Sequence, residues 1–330
     1  MYCLELAGED DAFAAREAAT AAHGVEVVAP GLAVCRGLAA GRVRTLAYTH
    51  RASELLGRTG ASVDAARTLL EAASLHRTGS VAVRARDVRS LSGVSTRAAE
   101  RELGQTLVDR GFAVDLDAPD HVLRACFSEG TCLLGWQAVE SVRDYGDRRP
   151  TDRPFFQPGS MDPLDARAVA NLAGAAPGAT LLDPMCGTGG VLVEAGLVGA
   201  RVVGADAQRK MVRGARENLR AFLDGDFGVL RGDATRLPLR DGAVDGVVFD
   251  APYGRQSKIE RHSLADLVAG ALAEARRVAP QAVVVADRSW RTAAEAADWR
   301  VERVFERPVH RSLTRYVHLL DGESGPETEV

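Results

Sequence analysis

From residue 176 onward, short apolar runs take turns with longer stretches of helical spacing. Residues 180–183, 201–205, 229–230, 244–249 and 281–286 read as strands, and 191–198, 209–223 and 264–278 read as helices. In 209–223, Met211, Val212, Ala215, Leu219 and Phe222 fall largely on one stripe. Alternation of this kind predicts an α/β fold with a mainly parallel, doubly wound sheet. Residues 301–305 and 316–320 read as an antiparallel pair that closes it.

The upstream half has a different texture. Residues 1–50 read as a strand, a helix over 10–22 and strands around 25–28 and 32–35, a small α+β unit of ferredoxin-like type. Within 51–147, strands are predicted at 82–86, 113–115 and 122–125, with a helix at 96–110. A proline- and arginine-dense segment, RRPTDRPFFQP, opens a predicted linker over 148–175. The sheet domain is then expected over 176–321, followed by an acidic, disordered tail over 322–330.

Composition narrows the class. The chain of 330 residues is 46% hydrophobic, enough for real cores, yet no apolar run approaches the roughly 20 residues that span a membrane. The start, MYCLELAGEDDAF, lacks a basic stretch leading into an apolar one, so a cytoplasmic location is expected. Cys3, Cys35, Cys126, Cys132 and Cys186 form no CxxC pair, which predicts reduced thiols and no metal site. The net charge of −4 argues against a simple basic nucleic-acid binder. Lys210 and Lys258 are the only lysines, so arginine supplies the other 39 of 41 basic residues. Arginine suits bidentate phosphate contacts, and a GC-rich or salt-adapted source produces the same bias.

Candidate chemistry sits at the predicted strand ends. DPMCGTGG, residues 183–190, is a glycine loop between strand and helix, where a ligand can approach the backbone. It is not the dinucleotide fingerprint, because Leu192 stands where the third glycine is needed. An acid opening the loop repels a pyrophosphate and suits an ammonium group. Asp206, 19 residues after Gly187, is placed to bind ribose hydroxyls. Asp233, at the next strand end, is placed to accept from an adenine amino group. Both acids also suit caps of following helices. Together these features describe a cleft for S-adenosyl-L-methionine. Asp250-Ala251-Pro252-Tyr253 ends the fourth strand. An exocyclic base amine is a poor nucleophile. Asp250 can accept its N–H and take up the proton, and the Ala251 carbonyl can accept the second N–H. Pro252 fixes φ, and Tyr253 offers a face for a flipped base. A strand-ending acid with a core tyrosine is the bland alternative.

In that order these motifs resemble a class I S-adenosylmethionine-dependent methyltransferase of the amino-methylating kind, with Ala251 departing from an Asp-Pro-Pro-Tyr signature. The resemblance implies a Rossmann-like fold, with Asp183, Cys186, Gly187, Gly189, Asp206, Asp233 and Ala234 around the cofactor. Cys186 reads in addition as a small packing residue. Residues 82–125 resemble a THUMP domain, an RNA-binding module, in their arginine-bearing strand, Leu103-Gly104 helix and Val114-Asp115-Leu116 turn. Arg84 and Arg86 are the RNA-binding candidates there. Residues 148–174, with Arg153-Pro154-Phe155, Gln157-Pro158-Gly159-Ser160-Met161, Pro163-Leu164 and Arg167, resemble the segment before the catalytic domain of the archaeal-type tRNA (guanine-N2)-methyltransferases acting at position 10. The likeness places Pro158 and Ser160 near the cofactor's amino-acid end and lets Arg255 touch a phosphate. Phe155 and Phe156 read as core. His262 reads as a solvated loop residue. The resemblance implies mono- then dimethylation of guanosine N2 in tRNA, with another tRNA or rRNA guanine, or a DNA base, as the alternative target. Some relatives work with a small zinc-binding activator subunit, which makes such a subunit a second candidate partner beside tRNA.

Overall fold

The protein is described by a computed structural model over residues 1–225, 227–253, 263–310 and 313–322. It divides into two units, Met1–Arg143 and Asp144–Val330. The expected tail beyond Gly322, like Arg255 and His262, lies outside the described residues. Among the described residues, no helix is long and apolar enough to cross a membrane.

The first unit carries strands β1 (Tyr2–Leu6), β2 (Ala22–His23), β3 (Glu26–Ala29), β4 (Leu32–Cys35), β5 (Gly37–Leu38), β6 (Thr49–Gly60), β7 (Ser80–Asp87), β8 (Ala113–Val114), β9 (His121–Ser128) and β10 (Thr131–Glu140). Its helices are α1 (Asp11–Ala18), α2 (Ala40–Val43), α3 (Val63–Ala72) and α4 (Thr96–Asp109). Eight strands form one sheet, ordered β3-β4-β1-β6-β10-β9-β7-β8. The boundary expected at residue 50 falls inside β6, which pairs with β1 on one side and β10 on the other. The stretches 1–50 and 51–143 therefore share a sheet. Sequence pattern hides this because β10 buries both faces from Thr131 to Trp136, leaving no alternation to read. The helix expected over 10–22 is shorter. Asp10 caps it at Phe13 N, 3.0 Å, and the buried Glu17 carboxylate turns away to accept from Ala47 N and Tyr48 N. Helices α3 and α4 cover one sheet face, Leu70, Leu103 and Leu107 packing with Leu123, Ala125 and Phe127.

One ion pair is sealed in this unit. Arg124 Nε and Nη2 donate to Glu5 at 2.8 and 2.9 Å, and the two residues are 7% and 3% exposed. Burial pushes the Glu5 carboxyl up, but Arg124, with Arg51 and Arg86, outweighs it and holds the group below the usual carboxylate range. Arg124→Met is expected to lower stability by about 2 kcal/mol at neutral pH, less than for a wholly orphaned charge, because Arg86 stays 3.3 Å from Glu5. A depressed carboxyl stabilises the fold above its unfolded pKa and stops doing so as pH falls through the folded one. The urea midpoints of the two proteins should therefore converge only as pH falls below the usual carboxylate range, through the depressed folded value. Equal midpoints at pH 7 would count against the pair.

The second unit carries α5 (Pro163–Leu172), β11 (Thr180–Asp183), α6 (Gly190–Val198), β12 (Arg201–Asp206), α7 (Arg209–Phe222), β13 (Phe227–Arg231), β14 (Gly246–Asp250), α8 (Leu264–Val278), β15 (Gln281–Ala286), α9 (Arg291–Ala296), β16 (Arg300–His310) and β17 (Leu313–Asp321). The sheet order is β13-β12-β11-β14-β15-β17-β16. Strands β11 to β15 are parallel, and β17 runs antiparallel to both β15 and β16. The fold is the doubly wound α/β sheet that the alternation predicts. The chain steps outward from β11 to β13, then returns to place β14 on the other side of β11. That reversal opens a crevice at the carboxyl ends of β11 and β14.

The segment expected as a linker over 148–175 is packed structure instead. Arg148, Arg153 and Arg167 are buried, and α5 lies against α6. Arg148 Nε and Arg167 Nη2 approach opposite oxygens of the fully buried Glu194 at 2.8 and 2.7 Å. Arginines that look solvent-seeking in sequence are thus matched by an acid on the facing helix. Phe155 is half-buried against Gly214, whereas Phe156 is 45% exposed and not core.

Candidate active site

Strand β11 delivers Asp183 to the crevice, 3% exposed. The backbone then turns sharply, and Met185 N donates to Asp183 Oδ1 at 3.0 Å. Gly187 and Gly189 take φ of +51° and +78°, the left-handed region that disfavours side chains. Gly189 is the residue before α6, and a Cβ there would press on Ala215 at 3.3 Å. Strand β12 delivers Asp206, whose two oxygens accept from Gly187 N at 3.0 Å and Gln208 N at 2.8 Å. This acid therefore braces the glycine loop as well as ending its strand. Asp233, after β13, accepts from Thr235 N and Oγ1 at 3.0 and 2.8 Å. The segment before α5 closes another wall, where Ser160 Oγ lies 3.1 Å from Thr188 Oγ1. On the same side, Lys210 Nζ donates to Gln157 Oε1 at 3.1 Å.

These elements enclose a cavity of about 1080 Å³. Asp183, Cys186, Gly187, Asp206, Asp233, Ala234, Pro158 and Ser160 line it, together with Asp250, Ala251, Pro252 and Tyr253. Gly189 does not reach the lining; its part is the turn and the close approach of Ala215. Sequence reading missed Met185, Thr188, Gln208, Lys210, Met211 and Arg231, all within two residues of a strand end, a loop glycine or the first turn of α7. Their proximity to those landmarks was the available signal. Arg84 and Arg86 belong to the first unit, on β7. There Arg84 Nη2 donates to the Leu116 carbonyl at 2.6 Å and Arg86 pairs with Glu5.

Strand β14, which pairs with β11, delivers Asp250 to the same cavity as Asp183. Tyr253, expected as a stacking face, also turns its hydroxyl onto Asp250 Oδ1. Burial pushes the Asp250 carboxyl up to about 6, against the pull of Arg315 and the Tyr253 hydrogen bond. Burial likewise raises Asp183 well above the ordinary range, and Asp206 and Asp250 add to it. Cys186 is buried and its thiol pushed up, so it packs rather than reacts.

Four carboxylates thus face one cavity, two of them pushed toward protonation. A cation seated among them relieves that strain. A sulfonium nucleoside with an ammonium group meets the requirement chemically. The residues fit S-adenosylmethionine.

Comparison with known proteins gives the same class. The family profile described as RMKL-like, methyltransferase domain, matches residues 150–317. A tRNA (guanine(10)-N2)-dimethyltransferase of Methanothermobacter thermautotrophicus is 38% identical over 292 residues, 84% of this chain and 84% of that one. One of Pyrococcus abyssi is 30% identical over 67% of this chain and 68% of its own length. The crystal structure of TrmN from Thermus thermophilus shares the fold, with a TM-score of 0.51 at 23% identity, covering 97% of this chain and 99% of that one. With half the chain matched by the domain profile and a relative this similar over most of both lengths, the chain belongs to the RMKL-like methyltransferases and, within them, to the family of the tRNA (guanine(10)-N2)-dimethyltransferases.

Proposed function

We infer that the protein methylates the exocyclic N2 amine of guanosine 10 in tRNA, first to the monomethyl and then to the dimethyl form. S-adenosylmethionine is the donor, and when bound it supplies a methyl group already activated on a sulfonium. The observation that carries the reading is that Asp250, at the end of β14, lines the same cavity as Asp183, Asp206 and Asp233.

Asp250 does the proton work. The guanine N2 lone pair is delocalised into the ring, and a carboxylate accepting its N–H makes that pair available. The Tyr253 hydroxyl engages Oδ1, which leaves the other Asp250 oxygen for the amine. As the new N–C bond forms, the proton passes to Asp250. A carboxyl pushed up to about 6 takes it readily and returns it to solvent near neutral pH. The Ala251 carbonyl accepts the second N–H, and Pro252 keeps that carbonyl aimed. In the second round only one N–H remains, and Asp250 again receives it. Asp183, Asp206, Asp233, Pro158 and Ser160 hold the cofactor in this reading, with the Gly187 backbone and Ala234 against it.

The THUMP-type module expected over residues 51–147, nearly all of it in the first unit, is proposed as the RNA-binding part, with Arg84 and Arg86 toward the phosphates. Both arginines keep N–H groups beyond those engaged on Leu116 and Glu5. A cytoplasmic location belongs to the same reading.

The test is nucleoside mass spectrometry of an unmodified tRNA transcript incubated with the protein and S-adenosylmethionine. N2-methylguanosine and N2,N2-dimethylguanosine mapped to position 10 are the expected products. Methylation at another position would keep the chemistry and overturn the site. Product formed only after adding a small zinc-binding activator would establish that partner. No product with either would overturn the reading.

A further inference from the structure

Strand β17 brings one buried arginine to the methyl-transfer motif. Arg315, its side chain 9% exposed, donates from Nε to the Tyr253 hydroxyl oxygen at 3.3 Å. Its Nη1 lies 3.6 Å from Asp165 of α5, and Asp165 also takes Arg307 of β16 at 3.2 Å. We propose that Arg315 is a positioning residue of the active site, one that acts through Tyr253 to orient and charge-balance Asp250. The proposal rests on the reading of Asp250 as the proton acceptor.

Donor and acceptor chemistry gives the direction. A guanidinium has only donors, and a phenol has one hydrogen. With Arg315 donating to the phenol oxygen, the single Tyr253 hydrogen is directed at Asp250 Oδ1. The carboxylate is thereby held in one orientation, with its other oxygen toward the substrate side. Here α5, β16 and β17 hold the guanidinium so that its Nε meets the catalytic motif.

Charge supplies the second effect. Asp250 faces Tyr253 on its own loop, Arg315 on β17, Asp287 after β15 and Asp183 at the end of β11. Burial disfavours its ionised form, as does Asp287, and Arg315 opposes them. Burial weakens the Arg315 charge, yet Asp250 and Tyr253 more than restore it. Neutralising Arg315 should therefore raise the pH at which Asp250 ionises, because an opposite charge a few ångströms away typically moves a carboxyl by one unit or more.

The experiment reads Asp250 directly, by titrating the ¹³Cγ signals of selectively labelled aspartate in the full chain without cofactor or tRNA. The Asp250 signal is the one lost in Asp250→Asn. Arg315→Gln is expected to move its midpoint upward by about one pH unit, and Arg315→Lys to restore most of that shift. In single-turnover methylation, Arg315→Gln should be roughly fivefold slow near pH 6, with the loss shrinking as pH rises above about 7 and cofactor affinity unchanged. An unmoved Asp250 midpoint overturns the proposal, as does a rate loss equal at every pH. Should Arg315→Gln not fold, Tyr253→Phe serves: its Asp250 midpoint must also rise, and an unchanged one overturns the relay. The titration needs no turnover, so failure to methylate tRNA would refute the proposed substrate while leaving the Arg315 result readable.

Discussion

Asp250→Asn is expected to bind S-adenosylmethionine within a few-fold of the parent and to lose methyl transfer by roughly 10³- to 10⁴-fold, the upper range for removing a positioned general base. Asparagine keeps the shape, and its carbonyl still accepts from Tyr253. It has no basic site for the proton of the amine, and its NH₂ faces another NH₂. The cofactor half is built from β11, β12 and β13, so its acids are undisturbed. The parent enzyme should show the matching pH dependence. Activity needs Asp250 ionised, and burial has lifted its carboxyl to about 6, so the single-turnover rate should fall as pH drops through about 6. Quench-flow with labelled methyl donor and a tRNA transcript measures both. A variant that turns over near the parental rate, or that has lost the cofactor, would remove Asp250 from the role given to it.

Much of this site can be read from the chain because acids at strand ends and left-handed glycines leave a local signature. Asp183, Asp206, Asp233 and Asp250 each follow an apolar run, and a parallel sheet must bring such ends together at one edge. The same logic gives the five parallel strands and the antiparallel pair. What the chain conceals is whatever depends on distant partners. Arg315 looks like any charged residue of a hairpin; only the pairing of β17 with β15 brings it to Tyr253. Arg148 and Arg167 read as linker because Glu194, which neutralises them, lies on another helix. Strand β6 is polar at many positions, and β10 runs from Cys132 to Trp136 without a polar residue. Neither has the period of two, so the upstream half reads as two units although one sheet holds it. Tyr253 shows a further limit. Its ring type suggests stacking, while its hydroxyl, whose partners are set by the fold, is bound to Asp250.

Asp206→Ala should produce the opposite split, with S-adenosylmethionine affinity falling by 100-fold or more while the rate at saturating cofactor stays within about tenfold. A carboxylate receiving ribose hydroxyls makes charge-assisted hydrogen bonds, each contributing about 1.5–3 kcal/mol, and tenfold in affinity corresponds to about 1.4 kcal/mol. The same oxygens accept from Gly187 N and Gln208 N, so alanine also releases the glycine loop that the cofactor must meet preformed. Asp233→Ala is a useful contrast. Asp233 accepts from one amino group rather than two hydroxyls, and it holds Thr235 rather than the glycine loop, so a loss nearer about tenfold is expected. Calorimetric titration with S-adenosylmethionine ranks the three proteins. If Asp233→Ala were the weaker binder, the ribose and base positions would have to be exchanged between β12 and β13. If both bound normally, the cavity acids would not be the cofactor site. Asp250 would then stand without a methyl source beside it, and the assignment of the two halves would fall together.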